Sequence, residues 1–186
     1  MSGQPERSDS AGQPTPSTGA SPSVAAVPWS AFDLEVPELA GQVRERLEAH
    51  RHLVMATLRP DGSPRLSGTE IRLIEGQLEI GIMAGAARLA DLQQDERLAL
   101  HSGSDDPPDW AGDAWVRGRG RIVDDASARA AHLGATVSQD PGEWTLVRVA
   151  LEEAGFVRLT PDGRRLLVET WRPGIGVRRS SRPPEE

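Results

Sequence analysis

The sequence predicts a mainly β protein with inserted helices, folded as a small antiparallel barrel. Three observations carry that reading. Short apolar stretches with strand-like alternation outnumber helical ones, Asp-Gly and Glu-Gly turn signals join neighbouring stretches, and strands do not take turns with helices as in a doubly wound parallel sheet. The 186 residues suit one domain of ordinary size with flexible ends.

Residues 1–30 are rich in Ser, Pro, Gly, Thr and Gln and read as a disordered tail, because so few large apolar side chains cannot offset the entropy of ordering. Trp29 and Phe32 are candidates to dock the end of that tail on a domain spanning 31–173. "PELAGQVRERLEAH" spaces Leu39, Val43 and Leu47 four residues apart, with Pro37 where a first helical turn tolerates it, so a surface helix opens the domain. "HLVMATL" (52–58), "RLSGTEIRLI" (65–74) and "LEIGIM" (78–83) follow as three strands joined by hairpin turns. A glycine turn leads into a short helix at 86–94 and a strand "RLALHS" (97–102). After an acidic loop (103–112) comes the long alternating strand "DAWVRGRGRIVD" (113–124). A helix over 125–135 precedes strands at 143–151, 155–159 and 164–171. The end, 174–186, is low in apolar content and reads as a frayed tail.

The chain carries 28 acidic residues against 21 basic ones, all arginine, for a net charge of −7, which argues against a general affinity for nucleic acid. The absence of cysteine excludes disulfides, thiolate nucleophiles and zinc–thiolate sites, and no stretch suits a signal peptide or a membrane span. A cytoplasmic protein with no nucleic-acid or membrane partner is expected. No G-x-S-x-G elbow is present, which disfavours hydrolase chemistry. "GSDDPPDW" holds three aspartates but lacks the alternating ligands of a calcium loop, so no metal site is expected.

Four histidines are candidates for chemistry: His50 and His52 pair at a helix end, His101 ends a strand, and His132 lies in the third helix. In "RGRGR", alternation places Arg117, Arg119 and Arg121 on one face. Gly118 and Gly120 on the other mark a tight bend or a closely approaching ligand.

The stretch "GIMAGAARLADLQQDERLAL" (81–100) has the shape of an anion site. A loop entering a helix at Ala86 exposes backbone N–H groups at the positive end of the helix dipole, with Arg88 in the first turn. Arg72, near the end of the second strand, can face the same spot, and two guanidiniums suit a phosphate. The same residues also read as an ordinary helix start, with Leu89 and Leu92 inward and Arg88 in solvent.

"ATLRPDGSPRLSGTEI" (56–71), "IMAGAARLADLQQDERLALHS" (82–102) and "DAWVRGRGRIVD" (113–124), in that order, resemble the pyridoxamine 5′-phosphate oxidase-like, flavin-binding split-barrel superfamily, in particular its actinobacterial flavin and deazaflavin oxidoreductases. The resemblance covers Glu38 to Asp125, with a weaker echo at "VETWRPGIGVRR". It implies an antiparallel split β-barrel, a homodimer, and FMN or a deazaflavin of the coenzyme F-420 type clasped near the dimer interface. The clasping strand corresponds to Ser67, Gly68, Thr69, Glu70, Ile71 and Arg72, and the turn to Met83, Gly85, Ala86, Ala87 and Arg88. Asp113 corresponds to a polar position near the flavin ring.

The chain departs from the family where members commonly carry a Ser-Arg-Lys-like trio at the turn: two alanines stand there and only Arg88 keeps a cation. Ser67 replaces a frequent arginine. Each missing charge-assisted bond is worth about 1.5–3 kcal/mol. Arg65 or Arg97 are candidates to serve a deazaflavin's longer anionic tail.

The implied activity is hydride transfer to or from a small organic substrate, the cofactor supplying the reactivity. One alternative is a barrel that has lost its redox cofactor and works as a small-molecule-binding protein or a cofactor-free biosynthetic enzyme. Another is a haem-binding split barrel using His50, His52 or His101. No catalytic acid or base is assigned.

Overall fold

A computed structural model describes residues 25–134 and 143–184. The expected tail through residue 24, and the end of the third predicted helix, lie outside the described residues. Within them the elements run α1 (Trp29–Glu35), α2 (Pro37–Ala49), β1 (Leu53–Leu58), β2 (Pro64–Thr69), β3 (Arg72–Ile74) and β4 (Gln77–Met83). These are followed by α3 (Ala87–Gln94), β5 (Arg97–His101), β6 (Asp113–Val123), α4 (Ala126–Gly134), β7 (Trp144–Leu159), β8 (Leu166–Arg172) and β9 (Gly176–Arg182).

All pairings are antiparallel, in the order β2-β1-β5-β6-β7-β4-β3, and β8 and β9 extend the sheet from the second half of β7. The predicted mainly β antiparallel fold is therefore what the chain adopts. The sheet does not close on itself: β2 pairs with β1 and β3 with β4, and the two do not pair with each other. That split corrects the single strand expected over 65–74. The chain turns a corner at Glu70–Ile71, and the Glu75–Gly76 turn, both residues at positive φ, folds β3 straight back onto β4.

Three further differences have local causes. The strands expected at 143–151 and 155–159 are one strand, because β6 pairs along the whole of β7 and a bulge absorbs Glu152 between Leu151 and Glu153. The end expected to fray from 174 forms β9 instead. Backbone pairing to β8, the Arg179–Glu169 ion pair (2.6 Å) and Arg165 bonding to Ser181 supply what apolar side chains do not. Finally, a short α1 begins at Trp29, two residues before the domain boundary read from the sequence, and Val27 bridges to Leu151. The cause is aromatic packing: Trp29 and Phe32 are fully buried, and Phe32 stacks on Trp171 at 4.5 Å between ring centroids.

The core lies between α2 and the inward faces of the strands. Leu39, Val43 and Leu47 of α2, which packs on β6 and β7, join Met55, Leu78, Ile80, Ile82 and Leu100 in one buried cluster, and Pro37 stands in the first turn of the helix as expected. The "RGRGR" alternation also holds. Glu152 takes ion pairs from Arg117 and Arg119 on one face, and on the other a side chain at Gly118 would run into the Ala150 carbonyl. Among the described residues, no helix is long and apolar enough to cross a membrane.

Candidate functional site

β4 positions the site. Its alternation buries Leu78, Ile80 and Ile82 in the barrel, which turns Glu79, Gly81 and Met83 to the opposite face. There they pair in register with Arg148, Leu146 and Trp144 of β7. Over this face lies a cavity of about 400 Å³, a volume typical of small-molecule sites. Gly81, Met83 and Trp144 line it from β4 and β7; Gly68, Thr69, Glu70 and Arg72 line it from the β2–β3 corner. Arg88 stands at the start of α3, His52 precedes β1, and His132 and Leu133 of α4 line the remaining side.

The turn into α3 is set by Gly85, whose φ of 76° is in the left-handed region that glycine adopts without strain. Ala86 precedes the first helical residue and offers no side-chain cap, so the first-turn amides have no side-chain acceptor at that position. The helix is held instead at its middle. Asp91, 2% exposed, accepts hydrogen bonds from Thr57 Oγ1 (2.7 Å) and Arg65 Nε (2.6 Å). The Arg65 bond holds the Asp91 carboxyl below its ordinary range, against the opposing effect of burial.

Leu89 and Leu92 are buried as expected, but Arg88 is not simply solvated. It lines the cavity, its Nη1 donates to the Gly68 carbonyl (3.1 Å), and its buried Nε has no hydrogen-bond partner among the described residues.

The structure gathers Gly68, Thr69, Glu70, Arg72, Met83 and Arg88 of the sequence-derived set around the cavity. Gly85, Ala86 and Ala87 form the turn behind it without lining it. Ser67 does not line the cavity; its hydroxyl is buried with no hydrogen-bond partner among the described residues, and Ile71 packs against the core. Asp113 sits apart: it accepts from Trp110 Nε1 at the end of β6 opposite Val123, whereas it is Val123 that pairs with Leu146 near the cavity.

Neither cation suggested for a longer anionic tail stands free for that role. Arg65 is committed to Asp91, and Arg97 grips Asp95, pulling that carboxyl down to about 2. The three histidines suggested for haem each have a neighbour of their own. His50 faces Asp105 beside Arg46, His101 Nδ1 contacts the Ser102 carbonyl, and His52 lies 3.4 Å from Glu70 at the cavity.

Sequence reasoning missed Gly81, Leu133 and Trp144, and named His132 without placing it at the site. The one sequence signal toward His132 is Glu79, a carboxylate among the apolar residues of "LEIGIM" that needs a partner when buried.

The donor set fits an anion carried on a flat apolar body. Arg72 and Arg88 line the cavity, and Gly81, Met83 and Trp144 add a low, largely apolar surface to it.

The sequence matches no protein-family model and no curated protein. Solved structures do match. A pyridoxamine 5′-phosphate oxidase-related, FMN-binding protein of Nostoc punctiforme aligns over 85% of this chain and 98% of its own, at 15% identity and a TM-score of 0.56. PhzG of Burkholderia lata, solved with tetrahydrophenazine-1-carboxylic acid, aligns over 84% and 94% at 15% identity and a TM-score of 0.53. A conserved hypothetical protein of Mycobacterium tuberculosis aligns over 61% and 81% at 17% identity and a TM-score of 0.52. The chain shares their fold, an antiparallel split barrel. In this split barrel the seam between β2 and β3 is also where the cavity opens.

Proposed function

We propose that this split barrel binds FMN or a deazaflavin in the cavity beside α3 and acts as an oxidoreductase on a small organic substrate. The supporting observation is that six residues implied by the resemblance line one cavity, among them both arginines of the suggested anion site. Arg72, Arg88 and the α3 amides would hold the phosphate, while Gly68 and Gly81 leave room for the body of the cofactor. When bound, the cofactor supplies redox chemistry that no side chain of this protein offers. The protein's own residues orient it and exclude water: Met83, Leu133 and Trp144 wall the cavity with apolar surface.

The proposal includes a homodimer. The outer face of β1 and β2 exposes Val54 (47%) and Leu66 (71%) beside Ala56, and Gly68 of the same strip borders the cavity. A second copy seated there would meet the edge of the site.

Titrating the purified protein with FMN and with a deazaflavin, followed by visible absorbance, tests the reading, and sedimentation gives the oligomeric state. Saturable binding of one cofactor is expected. Failure of both at high micromolar concentration would overturn it in favour of a cofactor-free small-molecule-binding barrel.

A further inference from the structure

A glycine inside a strand weakens it, because the side chain that would pack and stiffen the chain is missing, so each one calls for a cause. Most strand glycines of this protein have theirs in the packing or the backbone. A side chain at Gly118 would run into the Ala150 carbonyl, one at Gly155 into the Trp115 indole, and one at Gly120 would start 2.8 Å from Leu98. Gly176 opens β9 at a φ of 79°, in the left-handed region.

Gly68 of β2 and Gly81 of β4 have no such cause. Neither has a φ in the left-handed region. A Cβ at Gly68 would meet no heavy atom within 4 Å among the described residues. One at Gly81 would start at ordinary contact distance, 3.4 Å from His132 Nε2 and 3.6 Å from the Trp144 ring, and Gly81 is exposed although Ile80 and Ile82 beside it are fully buried. Alanine would therefore fit at both positions. What the two glycines share is the cavity, which both of them line.

β2 and β4 stand far apart in the sheet order β2-β1-β5-β6-β7-β4-β3 and do not pair, so the glycines bring bare backbone to the cavity from the two sides of the open seam. Gly68 lies beside Arg88, whose Nη1 donates to its carbonyl, and Gly81 lies beside Trp144. We propose that this bare backbone is the contact surface for a ligand that crosses the seam, and that Gly81 sets the size of the body the cavity admits. A strand without a side chain lets a flat ring system press against its peptide groups, where even a short aliphatic chain would hold it off. The ligand class is an anion on a flat, fused-ring body that reaches from Gly68 to Gly81. This rests on the cofactor reading only for the identity of those rings. It also makes the two glycines a loss of stability retained for binding.

Melting the ligand-free protein tests the glycines without any ligand. Gly68→Ala and Gly81→Ala should each raise the melting temperature by roughly 1–4 °C, since alanine restricts the unfolded chain and fits the folded one. A lowered melting temperature in Gly81→Ala would make that glycine structural and overturn the inference.

Binding is read by titration with FMN, with a deazaflavin, and with anilinonaphthalene sulfonate, a fused-ring anion unrelated to flavins. Gly81→Leu should weaken whichever of these the wild-type protein binds by about tenfold or more, and Gly81→Ala by less. Wild-type affinity in a folded Gly81→Leu would overturn the inference and leave the cofactor reading standing. Should the leucine variant not fold, wild-type affinity in Gly81→Ala is the overturning result. Failure of both flavins on the wild-type protein, with dye binding lost in the Gly81 variants, would overturn the cofactor reading alone. Failure of all three ligands would overturn both.

Discussion

Two short helices flank the same cavity and begin in opposite ways. α4 is capped: Asp125 accepts from the backbone amides of Ser127 (2.8 Å) and Ala128 (3.1 Å) and from the Ser127 hydroxyl. α3 starts after Ala86 with no side-chain cap, and its anchor is Asp91 in the second turn. The chain thus supplies a capping carboxylate at the start of α4 and none at the start of α3, where the proposed function puts an anion. Two alanines that look like lost phosphate ligands also keep the helix start clear.

Asp91→Ala should break the comparison most severely. It leaves Thr57 and Arg65 without their acceptor, a loss of about 2 kcal/mol, so the melting temperature should fall by roughly 4–8 °C and flavin affinity should fall with it. Next comes Arg88→Ala, expected to weaken FMN or deazaflavin binding about tenfold or more with an unchanged melting temperature. A wild-type dissociation constant in that variant would make α3 an ordinary helix start.

The acid response separates the two helices in another way. The carboxyls of Asp125 and Asp91 are both held below the ordinary value of 3.8, Asp125 chiefly by the Ser127 hydroxyl and Asp91 chiefly by Arg65. Depressed carboxyls contribute in full above their unfolded value and lose that contribution as pH falls below about 4. Melts recorded down that range should show Asp125→Asn less acid-sensitive than wild type, with Asp91→Asn flatter still.

The smallest effect is expected from Ala86→Ser. A new cap adds about 0.5–1 kcal/mol, or roughly 1–4 °C, in the free protein. If the proposed site is right, saturating FMN should shrink the gain, because its phosphate would serve the same amides.

What the sequence made legible was local. β1, β4 and β6 alternate cleanly, and Arg88 falls in the first helical turn that follows the glycine turn. The misses are long-range. Arg65 looks available until Asp91, 26 residues on, claims it. His132 has no distinguishing context in "DASARAAHLGA", because Glu79 reaches it from 53 residues away. β9 forms although its sequence is poor in apolar residues, since its support is a ladder and ion pairs with β8. Asp113 was placed by motif order, but β6 is long enough to carry it to the far end of the sheet from the cavity.

Trp144 also makes the molecule its own optical probe. The chain has five tryptophans and no tyrosine, so its near-ultraviolet emission comes from indoles alone. Trp29 and Trp171 lie fully buried in the core, whereas Trp144 lines the cavity between His132 and Arg129. An isoalloxazine beside Trp144 would quench it by contact and energy transfer, and a Trp144→Phe protein would lose that component while keeping the core emission that reports folding.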